Sequence, residues 1–85
     1  MVWEVRWSNK SVKQLSSIQK NDARRIRDRV IEIREDPFKA VKRLRGINLH
    51  SLRVGDYRVI LNLMGGKMLI YVVSVSPRGH AYDRL

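Results

Sequence analysis

From its second residue the chain alternates between apolar and polar positions. In "VWEVRW", Val2, Glu4 and Arg6 fall on one side and Trp3, Val5 and Trp7 on the other. A period of two predicts a strand with one apolar face, placed between the edge and the middle of a sheet. Ser8 or Asn9 then offers an N-cap oxygen. Val12, Leu15 and Ile18 give a short helix a narrow apolar stripe. "SSIQKND" interrupts the pattern, and Asn21 or Asp22 caps a second helix. In that helix Ala23, Ile26, Val30 and Ile33 recur at spacings of three, four and three, which is one helical face. Arg24, Arg25, Arg27, Arg29 and Arg34 fill the other faces, with Asp28 and Glu32 among them. Asp36-Pro37 ends the helix, because the residue before a proline is pushed out of the α region. Two helices joined by a short break predict an antiparallel helical hairpin.

"FKAVKRLRGIN" reads as a basic, irregular connection. The following stretch predicts three strands, about Leu49 to Val54, Tyr57 to Met64 and Lys67 to Ser76. "GD" and "GG" between them are two-residue hairpin signals. The order β-α-α-β-β-β therefore predicts an α+β fold, with one sheet ending in a three-stranded antiparallel meander and the helices gathered on one face. The other face is left partly open. On the middle strand Tyr57, Val59, Leu61 and Leu63 share one side, and Arg58, Ile60 and Asn62 the other. Tyr57 is expected to pack toward the helices and Arg58 to face the open side. Arg53 lies one hairpin turn away, and Arg78 and His80 follow the last strand.

Composition sharpens this picture. The 85 residues make one domain, 1–85, with one thin core and no room for a deep cofactor pocket. No cofactor is expected, and any chemistry belongs on a face or in a shallow groove. There are 18 basic against 8 acidic residues, a formal net charge of +10. Such a chain repels itself and attracts polyanions. Arg outnumbers Lys, which favours bidentate phosphate contacts. The absence of cysteine excludes disulfides, thiolate metal sites and thiol catalysis. His50 and His80 have no companion ligand cluster, so a metal is not expected. No serine elbow or phosphate loop is present. No apolar run approaches a membrane span and the start lacks the apolar core of a signal peptide, so no membrane partner and a cytoplasmic location are expected. The arginine-rich helix could enter a DNA major groove, but a helix-turn-helix reading needs a tri-helical unit, and here the second helix is followed by a sheet. The helix reads as a solvated face with ion pairs such as Arg24–Asp28 and Arg25–Glu32.

Arg53, Arg58, Arg78 and His80 are thus expected to converge on one face. Like charges brought together cost stability, and a phosphate group gives such a cluster its reason. Tyr82 adds a ring. Cations with one or two rings are what single-stranded RNA recognition uses. The plainer readings are that Tyr82 plugs the tail onto the sheet and that His80 is an ordinary exposed tail histidine.

The element order, "KRLRG" after a proline-terminated helix, "LRVGDYRVIL", and a closing strand followed by "RGHAY" resemble the RelE/ParE toxin superfamily over nearly the whole chain. The resemblance implies the toxin of a type II toxin–antitoxin pair, silenced by a RelB-like antitoxin. RelE-like members enter the ribosomal A site and cut messenger RNA without a metal, by attack of a 2′-hydroxyl on the adjacent phosphate. ParE-like members instead poison DNA gyrase. On the RelE-like reading the family's catalytic groups fall on Arg58, Arg78 and Tyr82, with His80 a candidate for proton transfer. Arg53, Arg45, Lys42 and Arg43 would bind the RNA. Ser51 and Arg53 stand where some relatives carry lysines, which leaves the general base unassigned. A weak member that binds only antitoxin or RNA is the third reading.

Overall fold

In the computed structural model, which describes residues 2–77, the alternating start forms β1 (Glu4–Trp7). Two helices follow, α1 (Asn9–Ser16) and α2 (Lys20–Glu32). A 3-10 turn, Ile33–Glu35, leads into the single-turn α3 (Pro37–Ala40) and then β2 (Lys42–Arg43). The meander is β3 (His50–Val54), β4 (Tyr57–Met64) and β5 (Leu69–Pro77). All five strands join one sheet in the order β1-β5-β4-β3-β2. Among the described residues only the β1–β5 pair is parallel, and the chain between those two strands carries the helices. β1 is therefore an edge strand.

The helix-facing side of the sheet and the apolar stripe of α2 make the core. Ile26, Val30 and Ile33 pack with Trp3, Leu52, Val54, Val59, Leu61, Leu63, Ile70, Val72 and Val75. Full burial of each aliphatic side chain contributes about 1.5–3 kcal/mol. Tyr57 joins this cluster from its rim, as its strand parity requires.

The structure corrects several local expectations. In α1 it is Ser11 that is buried, while Val12 is 53% exposed; Leu15, and Ile18 just beyond the helix, do reach the core. The reason is tertiary. Ser8 caps the helix by accepting from the Ser11 amide at 3.0 Å and also donates to the Val73 carbonyl at 2.7 Å, which fixes the helix rotation on β5. The N-cap of α2 is Gln19, without a side-chain bond, rather than Asn21 or Asp22. Pro37 does not only end a helix. The α-helix stops at Glu32, and Pro37 opens α3 from its first turn, where a missing N–H costs nothing. The stretch taken as irregular also holds β2. The helix ion pairs are Arg27–Asp28 and Arg29–Glu32, between nearer neighbours than expected.

The two hairpins differ. Gly55 and Asp56 form the tight turn that "GD" predicts, with Gly55 at φ +57°, where a side chain is strained. "GG" is not a two-residue turn. Met64 pairs with Leu69 across a four-residue connection, a 3-10 turn at Gly65–Lys67 closed by Met68 at φ 48°. The last strand accordingly begins at Leu69 and not at Lys67, and the first strand of the meander begins at His50.

A register shift in β5 decides what the outer face carries. Leu61 pairs with Val72 but Ile60 pairs with Ser74, so Val73 is an extra residue, a β-bulge. Before the bulge Ile70 and Val72 face the helices. Simple alternation would send Ser74 and Ser76 after them. The bulge reverses the parity: Val75 enters the core, and Ser74 and Ser76 turn to the outer face, opposite Ile60 and Arg58. Val73 joins Leu44, Leu49 and Ile60 in a small second core that covers the middle of that face. The Leu44 amide donates to the Leu49 carbonyl at 2.8 Å and folds this cover down.

Candidate functional site

Beyond the small second core, toward the C-terminal end of β5, the outer face is cationic. Directly opposed residues of an antiparallel pair point the same way. Arg53, Arg58 and Ser76 thus form one rung across β3, β4 and β5, and Lys42, Ser51, Ile60 and Ser74 form the next across β2 to β5. Arg53 is exposed; Arg58 is half-buried and already engaged by a neighbour. The two-residue turn at Gly55-Asp56 fixes the arginine pair, since it places Val54 against Tyr57 and hence Arg53 against Arg58. Like charges opposite one another destabilise a sheet. Among the described residues, Arg6–Glu4, Arg27–Asp28, Arg29–Glu32 and Lys39–Asp36 pair elsewhere on the molecule.

Of the residues singled out from the sequence, Arg53, Arg58 and Lys42 share this face. Arg43 does not. It pairs with His50 on the helix-facing side. Arg45 lies exposed in the turn that follows β2. Arg78, His80 and Tyr82 lie outside the described residues; the chain enters them from Pro77, which pairs with Tyr57 beside the arginine rung. Two polar groups of this face were missed by the sequence reading, Ser74 and Ser76. The signal for them was present in "LIYVVSVS". Strict alternation there buries two serines behind Ile70 and Val72 and exposes Val73 and Val75, an arrangement that a bulge corrects.

His50 has a different surrounding. It is buried under Phe38, whose ring meets the imidazole edge-on at 5.7 Å and Trp3 at 5.6 Å. Its Nδ1 has no hydrogen-bond partner among the described residues. Burial, and secondarily the Arg43 charge, hold its pKa below the ordinary value. It belongs to the helix-side packing and not to the cationic rung. Among the described residues no group of three or more His, Asp or Glu side chains stands together as metal ligands. No helix there is long and apolar enough to cross a membrane.

The arrangement, two opposed arginines with a lysine on the next rung of the sheet face, suits a phosphate group. Comparison with known proteins places it in a family. The family model of the ParE toxin of type II toxin–antitoxin systems matches residues 5–82, nearly the whole chain. The chain belongs to the RelE/ParE superfamily of toxins. The toxin's fold agrees with solved RelE structures. The archaeal RelE–RelB complex from Pyrococcus horikoshii OT3 matches with a TM-score of 0.81 at 29% identity, covering 93% of this chain and 98% of that one. The RelBE2 toxin–antitoxin complex from Mycobacterium tuberculosis matches with a TM-score of 0.85 at 17% identity, covering 92% and 100%. The isolated E. coli RelE toxin gives 0.76 at 19%, covering 96% and 93%. A comparison with curated proteins finds no match at the sequence level.

Proposed function

We propose that this toxin is a ribosome-dependent endoribonuclease that cuts messenger RNA in the A site, held inactive by a RelB-like antitoxin. The observation that carries the reading is the Arg53–Arg58 pair on the outer face, with Lys42 one rung away, at the end of the strand that leads into Arg78. Several of the similar solved structures are toxin–antitoxin complexes, which supports the antitoxin partner.

The chemistry needs little more than positioning and charge. The RNA 2′-oxygen attacks the adjacent phosphorus, the P–O5′ bond breaks, and the products are a 2′,3′-cyclic phosphate and a 5′-hydroxyl. The 2′-hydroxyl proton leaves to a base and the 5′-oxygen gains one. Negative charge builds on the phosphoryl oxygens between those events. Arg53 and Arg58 stabilise it as fixed donors, joined by Arg78. Arginine stays protonated, so it is not the base. His80, whose ordinary pKa lies near neutrality, is the proposed proton-transfer group, and Tyr82 the ring on which a base stacks.

A second reading keeps one specific observation. The matching family model is that of the ParE toxin, and the superfamily also includes ParE gyrase inhibitors. One pair of assays separates the two. The toxin is added to a reconstituted translation reaction with A-site cleavage mapped along the message, and to a gyrase supercoiling reaction. Cleavage in the first, reduced about a hundredfold or more by the Arg53→Gln, Arg58→Gln double variant, is the expected result. Intact message, or cleavage that the double variant leaves unchanged, overturns it. Blocked supercoiling with intact message establishes the second reading.

A further inference from the structure

Ser76 has no role in any of this, yet its place is unusual. Its Oγ is buried and has no hydrogen-bond partner among the described residues. An unsatisfied buried hydroxyl costs stability, about 1–3 kcal/mol, and a surface strand has many residues that avoid the cost. Ser76 also reaches the outer face only because Val73 bulges out of β5; without that extra residue it would face the core. Two separate features, a bulge and an unpaired hydroxyl, therefore put one O–H donor on the same rung as Arg53 and Arg58.

We propose that Ser76 is a phosphate-contacting residue: its hydroxyl donates a hydrogen bond to a non-bridging oxygen of the RNA phosphate held by Arg53 and Arg58. The proposal rests on the RNA-cutting reading and adds a neutral donor to it. A phosphate offers more acceptor positions than two guanidinium groups fill, and a hydroxyl on the third strand of the rung approaches from the side that the arginines leave. The hydroxyl is buried in the free toxin, and the contact requires that it become accessible as RNA binds. The desolvation cost carried by the free toxin is then recovered in the complex. The donor gives up no proton in the reaction; it orients the phosphate and leaves proton transfer to other groups.

The distinguishing consequence is that binding and stability move in opposite directions. Ser76→Ala removes the donor and also removes the unsatisfied group. Ser76→Thr keeps the hydroxyl. The test uses the free toxin, a single-stranded RNA oligonucleotide with 2′-O-methyl riboses that cannot be cut, and the translation-coupled cleavage assay. Ser76→Ala is expected to bind the oligonucleotide about tenfold or more weakly and to cut more slowly by a similar factor, with a thermal midpoint equal to or above that of the parent. Ser76→Thr is expected to restore binding. Equal binding by parent and Ser76→Ala overturns the proposal and leaves the RNA-cutting reading standing. A lower midpoint for Ser76→Ala overturns it too, since the hydroxyl would then be structural. A parent toxin that neither binds the oligonucleotide nor cuts message overturns both.

Discussion

His50 shows how much one side chain's surroundings decide. The sequence offers two histidines, and His50 is the one that lies within the described residues. His50 lies beneath Phe38 with an unpartnered Nδ1, on the side of the sheet away from the arginine rung. Burial and the nearby Arg43 lower its pKa, so the folded chain resists protonation there more than the unfolded chain does. The sign follows directly. Between the lowered folded value and the ordinary unfolded value of about 6.5, the unfolded state binds more protons, so stability rises with pH across that window. The contribution is complete above about pH 6.5 and is lost as pH falls toward the folded value. Urea midpoints measured from neutral to mildly acid pH are expected to fall on acidification. The His50→Gln variant, which cannot titrate, is expected to fall less over the same range. Parallel curves for the two proteins would remove His50 as the cause.

At the scale of elements, the site depends on how β5 ends. β1 accompanies β5 only as far as Val72, and beyond that point no strand among the described residues lies on that edge of β5. Helix α1 takes over the missing partner's work. The Ser8 hydroxyl donates to the Val73 carbonyl, and the Val75 amide donates to Gln14 Oε1 at 2.6 Å. Replacing Gln14 by leucine keeps the bulk and strands the Val75 amide; the expected loss is about 1–3 kcal/mol in denaturant unfolding. Gln14→Glu keeps an acceptor and should recover most of it. This also explains what was legible in the sequence. The Arg53–Arg58 pairing follows from a two-residue turn with a glycine in it, which is local information. So does the apolar face of α2, where Ile26 and Val30 repeat at helical spacing and Ile33 continues the stripe into the 3-10 turn. The rotation of α1, which buries Ser11 instead of Val12, and the bulge at Val73 are set by bonds across more than sixty residues of chain, such as Ser8 to Val73. No local period announces them. The helical stripe misassigned Val12 and the unbroken alternation hid Ser76 for the same reason: a tertiary hydrogen bond outweighed a propensity.

Across the whole molecule, charge is distributed on two opposite surfaces. One is the arginine rung of the sheet. The other is the solvent side of α2, where Arg24, Arg25 and Arg29 line a shallow groove with Asn21, Asp28 and Glu32. Within that groove acidic residues stand among the arginines, as Glu32 pairs with Arg29, so it is a mixed surface, while the rung sets Arg53 directly against Arg58. The formal net charge of +10 nevertheless acts on a body only 32 × 27 × 22 Å across. At about 10 mM salt the Debye length is about 30 Å, and every cation repels every other. At about 150 mM it is about 8 Å, and only neighbours interact. Salt therefore has two opposite effects. It screens self-repulsion in the free toxin, so the thermal midpoint is expected to rise between those two sodium chloride concentrations. It also weakens attachment to RNA, whose affinity falls linearly with the logarithm of salt by about 0.7 per phosphate contacted on a single strand. Measured on a single-stranded RNA, the slope counts the contacts. Removing Arg53 is expected to reduce it by about one contact, whereas removing Arg27 from α2, which is paired with Asp28, is expected to leave it unchanged. A midpoint that falls with salt would mean that ion pairs, and not repulsion, govern the fold. An Arg27 variant that shifts the slope as much as an Arg53 variant would place the RNA on the helices instead of the sheet.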